Sequence, residues 1–405
     1  MTEPSDKTAS SAAASAASMA AGGLLLAALL FSSFVMRGPV TAVGPVSDEI
    51  RSVLGIGWSA YGFLTALPVA AFGVFSFAAP WAVGRLGLLG ALVGALAALT
   101  LGALLRVVPD WWVLLAGTLL VGAGIAVMNV LLPVSLKTGW PARAAGLMGL
   151  YTGLVGVSGA VGGLTSAPLL DWGGALAAPM GFWAAAAAVA TAFVFFASRS
   201  AAASGRFGGA APGGVGFRAL LVNPLAWALT GVMGLQSLTI YTAAAWMPPY
   251  WHAQGLAPSE TGFWLFVYLL SGLPASLLTP RFMTWVRSEA AAAVILALLY
   301  LAGLAGWLAG GAWLLSGSVA AGAAQGAMLS VAFLLMAKKS PDLRRMLGIS
   351  SMAQGIGYLG AGCGPSIFAA LYEGTGAWAP AFLFFAAVIV LWGAAGCFAA
   401  RRPSL

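Results

Sequence analysis

Twelve apolar runs set the terms for this chain. They lie at about 20–46, 58–79, 88–108, 111–136, 144–169 and 175–197, and then at about 224–248, 260–280, 288–309, 311–336, 346–371 and 377–400. Each is about 20 to 26 residues long, enough for a helix rising 1.5 Å per residue to cross a hydrocarbon core of about 30 Å. Lipid offers the backbone no hydrogen-bond partner, so such runs must be helices. Only 7% of the 405 residues are charged and 61% are hydrophobic, with a mean hydropathy of +0.97. The expectation is an all-α membrane protein with twelve transmembrane helices.

Charge placement orients it. With a cytoplasmic amino terminus, the inner side gathers Lys and Arg from nearly every loop, the outer side holds only Arg51 and Arg106, and Arg37 lies within the membrane. The excess of positive charge inside places both termini in the cytoplasm. The net charge of +8 then reflects topology and anionic inner-leaflet lipid, and gives no support for a nucleic-acid partner. Residues 1–19 are rich in Ser and Ala and lack the basic start and cleavage site of a secretory signal, so a disordered tail is expected. Cys363 and Cys397 fall inside the last two runs and read as free thiols. Trp58, Trp81, Trp111, Trp112, Trp172, Trp285, Trp313 and Trp378 fall at helix ends and read as an aromatic belt.

A repeat divides the chain. The Gly-rich stretch 198–223 separates six runs from six, and the second six align with the first at a constant offset of about 200 residues. Gly62 and Phe63 fall on Gly262 and Phe263, Gly117 and Gly122 on Gly317 and Gly322, and Pro141 on Pro341. A register shared across several helices and a loop argues for two homologous halves. The expected plan is a tail at 1–19, a six-helix half at 20–197, a cytoplasmic linker at 198–223, a second half at 224–400 and a tail at 401–405. Parallel six-helix halves related by an axis along the membrane normal are the plan of major facilitator transporters, whose site lies between the halves. The inner loop 80–87, PWAVGRLG, stands where such transporters carry G-x-x-x-D-x-x-G-R, and only Gly84-Arg85 matches.

Arg37 interrupts the first run, followed by Gly38, Pro39, Gly44 and Pro45. Proline removes a backbone donor and glycine weakens a helix, so a kink or an unwound turn is expected beside the charge. An arginine at that depth costs roughly 2.5 to 3.5 kcal/mol on insertion scales and generally faces the protein interior. None of the apolar runs carries an Asp or Glu in its interior. An unpaired buried cation favours a bound anion as its partner. The structural alternative is a guanidinium held by carbonyls freed at Gly38-Pro39. Arg106, at the outer end of the third run, reads as a side chain reaching the headgroups.

Other polar groups converge on the same depth. Gln236, Gln325 and Tyr358 each lie about 12 to 14 residues into their helices, with Gln354 one turn below Tyr358. They either line a pocket or join helices. Asn129 bonds a neighbouring helix or faces the cavity. Tyr61, Tyr151 and Tyr241 are candidate aromatic walls, and Gly146, Gly149, Gly153, Gly156 and Gly159 read as a packing face of the fifth helix. His252 reads as a surface residue. No metal cluster, paired carboxylate or nucleophile with a histidine partner is present in the sequence, so neither an enzyme nor a cofactor is expected.

The runs MRGPVTAVGPVSDEIRSVLGIGWSAYGFLTALPVAAFGVFS, MNVLLPVSLK, WMPPYWHAQGLAPSETGFWLFVYLLSGLPASLL and MAQGIGYLGAGCGPSIFAALYEGTGAW give the chain a further likeness. It resembles the cyanate permease family of the major facilitator superfamily, which includes the 2-nitroimidazole transporter of enteric bacteria. The resemblance implies a monomeric alternating-access carrier in the bacterial inner membrane. Its membrane-embedded arginine falls on Arg37, and its A-Q-G-x-G-Y element falls on Ala353, Gln354, Gly355, Gly357 and Tyr358. The expected cargo is a small anion (cyanate-like, nitrite-like or a small carboxylate) or a nitro-heterocycle, bound by Arg37. The broken helices one, seven and eleven would supply the bending. An efflux pump for uncharged aromatic compounds is the alternative within transport, and a non-transporting membrane receptor the alternative outside it.

Overall fold

The computed structural model describes residues 21–199, 220–340 and 343–404. The expected tail at 1–19 and most of the linker at 198–223 lie outside the described residues. The described residues form twelve long helices: α1 (Ala21–Thr41, broken), α2 (Trp58–Phe75), α3 (Ala78–Leu105), α4 (Trp111–Gly139), α5 (Ala144–Gly173), α6 (Ala177–Ser198), α7 (Pro224–Ala253), α8 (Pro258–Val286), α9 (Glu289–Ala309), α10 (Trp313–Lys339), α11 (Leu343–Thr375) and α12 (Trp378–Arg401). A short helix, Ser47–Leu54, follows α1. Ten of the twelve are long and apolar enough to cross a membrane by length and composition. The exceptions are α7 and α11, which carry polar side chains at Gln236, Thr239, Tyr241 and Thr242 and at Ser350, Ser351, Gln354 and Tyr358. Below, the end at which α12 finishes is called proximal and the opposite end distal.

The two halves repeat one another in contacts as well as in sequence. A side chain at Gly117 of α4 would lie 2.6 Å from the Gly102 carbonyl of α3, and one at the matching Gly317 of α10 would lie 2.9 Å from the Gly303 carbonyl of α9. Gly122 faces α2 at Pro68, and its counterpart Gly322 faces α8 at Tyr268. Helices in lipid gain nothing by hiding apolar surface from one another, so these small residues, which admit close backbone approach, set which helices pair.

The halves meet chiefly along two seams, α2 with α11 and α5 with α8, with α7 touching α1 and α2 between them. At the distal end both seams are tight. Glu373 of α11 accepts from the Ser59 amide at 2.9 Å and from the Ser59 hydroxyl, capping the amino terminus of α2 across the interface. Behind it Trp58 and Tyr61 of one half pack edge and face against Trp246 and Tyr372 of the other, and Trp378 backs both of these. Trp58 and Trp378 thus belong to an interhalf aromatic plug, whereas Trp81, Trp112, Trp172, Trp285 and Trp313 are exposed as a belt requires. On α5 the seam loosens proximally: Gly146, Gly149 and Gly156 have nothing within 4 Å of where a side chain would start. The expected packing face is therefore real only at Gly153, opposite Leu273, and Gly159, opposite Arg37.

Helix breaks differ from expectation in a regular way. α1 leaves the helix at 35–37, resumes at Gly38–Thr41 and turns again before Ser47. α7 and α11 run unbroken through Pro248-Pro249 and Pro365. Proline in mid-helix leaves the carbonyl four residues earlier without its donor. For Pro249 that carbonyl is Ala245, and the Tyr61 hydroxyl donates to it at 3.1 Å. The stretch 80–87, expected as a loop, is also helical, bent at Gly87, whose φ of 69° suits a residue without Cβ.

Candidate functional site

Arg37 sits in the break of α1, half-buried near the middle of the helices around it. The break orphans backbone donors, and Ser158 of α5 takes two of them: its hydroxyl accepts from the Arg37 amide at 3.3 Å and the Gly38 amide at 2.8 Å. One residue on, Thr41 donates to the Gly159 carbonyl at 2.8 Å. Gly38 is required here, since a Cβ would lie 2.0 Å from the Trp183 ring of α6. The arginine stem lies on Gly159, and its head reaches across to the second half, where Nη2 donates to the Tyr241 hydroxyl at 3.2 Å. The guanidinium carbon is 5.5 Å from the Tyr241 ring centre. The remaining N–H groups of the guanidinium have no acceptor, and Arg37 has no carboxylate partner, among the described residues.

Around it stands a row of rings. Phe72 of α2 packs edge-on to Tyr241 at 5.8 Å and to Tyr358 of α11 at 5.7 Å. The phenols of Tyr358 and Tyr151 lie within electrostatic reach of the guanidinium. Tyr151 of α5 donates to the Asn129 Oδ1 of α4 at 3.4 Å. Arg37, Tyr241, Tyr358, Tyr151 and Asn129 therefore form one group drawn from five helices of both halves.

Other expected members go elsewhere. Gln325 of α10 donates to the side-chain and backbone oxygens of Gln236 at 3.0 and 2.9 Å and accepts from Thr239 at 2.8 Å. Gln236 also donates to Ser237 at 2.7 Å. Both amides are buried and mutually satisfied, an α7–α10 clasp. Tyr61 is fully buried in the distal plug with its hydroxyl on Ala245. Gln354 is half-buried and donates to Ser350 at 3.0 Å, on the proximal side of Tyr358.

Arg106 corrects the sequence reading. It does not reach the headgroups: it is 6% exposed, and Nη1 donates to the Pro39 carbonyl at 2.7 Å. The break in α1 frees that carbonyl, and a guanidinium is a better partner for it than an absent amide. The freed carbonyls thus hold Arg106 and leave Arg37 available. Ser158 was missed altogether. The repeat contains a signal for it, since Ser158 plus the 200-residue offset is Tyr358, a residue already singled out.

Ser158→Ala should leave two amides without an acceptor, at about 1 to 3 kcal/mol for each one that water cannot reach. We expect a lower unfolding temperature in detergent together with loss of transport. A variant as stable and as active as the parent would remove Ser158 from the site.

Residues 29–358 match the Major Facilitator Superfamily. An uncharacterized transporter of Bacillus subtilis (strain 168), YycB, is 32% identical over 388 residues, covering 92% of each chain. The 2-nitroimidazole transporter of Escherichia coli (strain K12) is 27% identical over 381 residues, 93% of this chain and 95% of that one. The cyanate transport protein CynX of the same organism is 25% identical over 337 residues, covering 82% and 85%. Among solved structures, a bacterial homolog of the human lysosomal transporter Spinster, in its inward-facing unoccupied conformation, superposes with a TM-score of 0.77 at 15% identity, covering 94% of this chain and 97% of that one. The D-xylose-proton symporter superposes with a TM-score of 0.68 at 14% identity, covering 94% and 96%. With the shared fold, the repeated halves and the matched residues taken together, this multi-pass membrane transporter belongs to the major facilitator superfamily.

Proposed function

We propose that the protein carries a small anion or a nitro-substituted heterocycle across the bacterial inner membrane by alternating access, with Arg37 binding the negative or nitro group. The observation that carries this reading is a half-buried guanidinium between the halves that has, among the described residues, one phenol as its hydrogen-bond partner and no carboxylate. A charge so placed is most favourable when an anion completes it. Cyanate, nitrite and small carboxylates are compact, and a nitro group offers the same pair of oxygens to a planar fork of N–H donors. The relatives named for 2-nitroimidazole and cyanate fit both classes. Tyr241, Tyr358 and Phe72 would form the walls, with Asn129 and Tyr151 on the opposite flank.

The distribution of Lys and Arg puts the proximal end in the cytoplasm. The distal end, shut by Glu373 and the aromatic plug, is then the outer gate, and the loose stretch of α5 faces inward. Cargo held at Arg37 touches both halves, since the arginine comes from α1 and its tyrosine from α7. Rocking of the halves about that contact would expose it to each side in turn.

A second reading, export of uncharged aromatic compounds, is favoured by the ring row itself. Thermal unfolding with cyanate, nitrite, acetate, 2-nitroimidazole and plain imidazole separates the two. True cargo at about 100 times its Kd should add about 2.7 kcal/mol of stability. Stabilisation by an anion or by the nitro compound but not by imidazole is the expected result. Stabilisation by imidazole and 2-nitroimidazole alike, with no anion effective, would hand the site to the second reading.

A further inference from the structure

A second site lies far from Arg37, at the proximal end of the second half. The α8–α9 turn, the last turn of α10 and the end of α12 line an open recess of about 770 Å³. Three cations reach it: Arg287, Lys338 and Arg401. Lys338 is engaged, with Nζ 2.9 Å from Glu289 Oε1. Arg287 and Arg401 are exposed, and their side chains make no hydrogen bond or ion pair among the described residues. Two free guanidiniums therefore share one recess with an acid that is already neutralised.

The backbone adds an independent sign. Arg287 has φ 59° and is the one non-glycine residue at positive φ among the described residues. It ends α8 in the left-handed cap conformation, where glycine would avoid the clash of Cβ with the following carbonyl. Strain kept at a position where a simpler residue would serve points to a use for the side chain. One to two helical turns before Arg287 and Lys338, the lining includes apolar Pro280, Met283 and Leu334. Two residues before Arg287 in the chain, Trp285 is 79% exposed, as a ring at the membrane interface is.

The geometry points to a binding site for the phosphodiester headgroup of an anionic phospholipid, gripped by Arg287 and Arg401, with its apolar end against Pro280 and Leu334. A free phosphate would need the cations but not the apolar wall, and a zwitterionic lipid would need the wall but gain little from two cations. The site concerns lipid and is independent of the identity of the cargo.

Thermal unfolding of the purified protein in detergent, titrated with phosphatidylglycerol, phosphatidylcholine or inorganic phosphate, tests this. Phosphatidylglycerol should stabilise the parent at concentrations where the other two do not. The double variant Arg287→Gly/Arg401→Gln should need roughly thirtyfold more phosphatidylglycerol for the same shift, from two lost surface cations. Its unfolding temperature without lipid should not fall, because glycine relieves the backbone at 287. The single Arg401→Gln, at an exposed helix end, should show a smaller loss in the same direction. Equal stabilisation of parent and variants, or equal effects of the two lipids, would overturn the site. An identical shift from inorganic phosphate would overturn the lipid as its occupant.

Discussion

Arg37→Gln is expected to weaken cargo binding roughly tenfold to a hundredfold while leaving the empty protein as stable as the parent or more so. The first half follows from the hydrogen bonds of a charged donor, worth about 1.5 to 3 kcal/mol, at about 1.4 kcal/mol per factor of ten. The second follows from the environment. Among the described residues the guanidinium has one phenol, Tyr241, and no carboxylate, so removing the charge also removes a desolvation cost. Arg37→Lys keeps the charge but not the planar fork and should fall between parent and Gln. Ligand-induced stabilisation and baseline unfolding temperature, measured together, read the two halves separately. A structural arginine gives the reverse pattern: a Gln variant with a lower baseline and an undiminished response to ligand.

The contrast with Arg106 sharpens this expectation. Both arginines belong to the first half and flank the same break in α1. Arg106 is buried and committed to the Pro39 carbonyl, so its removal orphans a carbonyl and should cost stability first. Arg37 is half-buried, and its own amide, not its side chain, is what Ser158 satisfies. One arginine holds the break; the other is presented by it.

How much of this could be read from the chain depended on the kind of information needed. The twelve helices and the break at Arg37 follow from runs of residues and from Gly-Pro, which act locally. The depth of Gln236 and Gln325 was also legible, because rise per residue is fixed. Which way they face was not, since rotation about each helix is decided by packing. The α7–α10 clasp took both amides, and no feature within either helix announces it. Arg106 with Pro39, and Tyr61 with Ala245, needed more still. In each pair a proline or a break frees a carbonyl on one helix, and a donor from another helix fills it. A rule that asks where each freed carbonyl finds its donor would have looked for both, but only the fold brings the partners within reach. Tyr241 lies between these cases: expected as a wall, it is, among the described residues, the one side chain that hydrogen-bonds the arginine side chain.

Closure of the distal end yields the second large effect, through Gly262→Leu. Gly262 of α8 meets α5 where a Cβ would lie 2.5 Å from the Gly163 carbonyl oxygen, a backbone atom that cannot swing aside. Overpacking of this kind costs about 1 to 3 kcal/mol, and here only the state with a closed distal seam bears the cost. The balance should therefore move roughly fivefold to more than a hundredfold toward the state open at the distal end. Glu373→Gln should move it the same way by a smaller factor, because its cap on α2 is solvent-exposed and such caps contribute about 1 kcal/mol or less. Gly149→Leu, on the loose stretch of α5, meets nothing within 4 Å in this state and should instead hinder closure of the proximal end. A cysteine at exposed Thr152, in a background lacking Cys363 and Cys397, reports the change by its labelling with an impermeant maleimide from the proximal side. Labelling should drop in Gly262→Leu, drop slightly in Glu373→Gln and persist in Gly149→Leu. If all three label like the parent, the α5–α8 seam does not gate the distal side, and closure there rests on the aromatic plug alone.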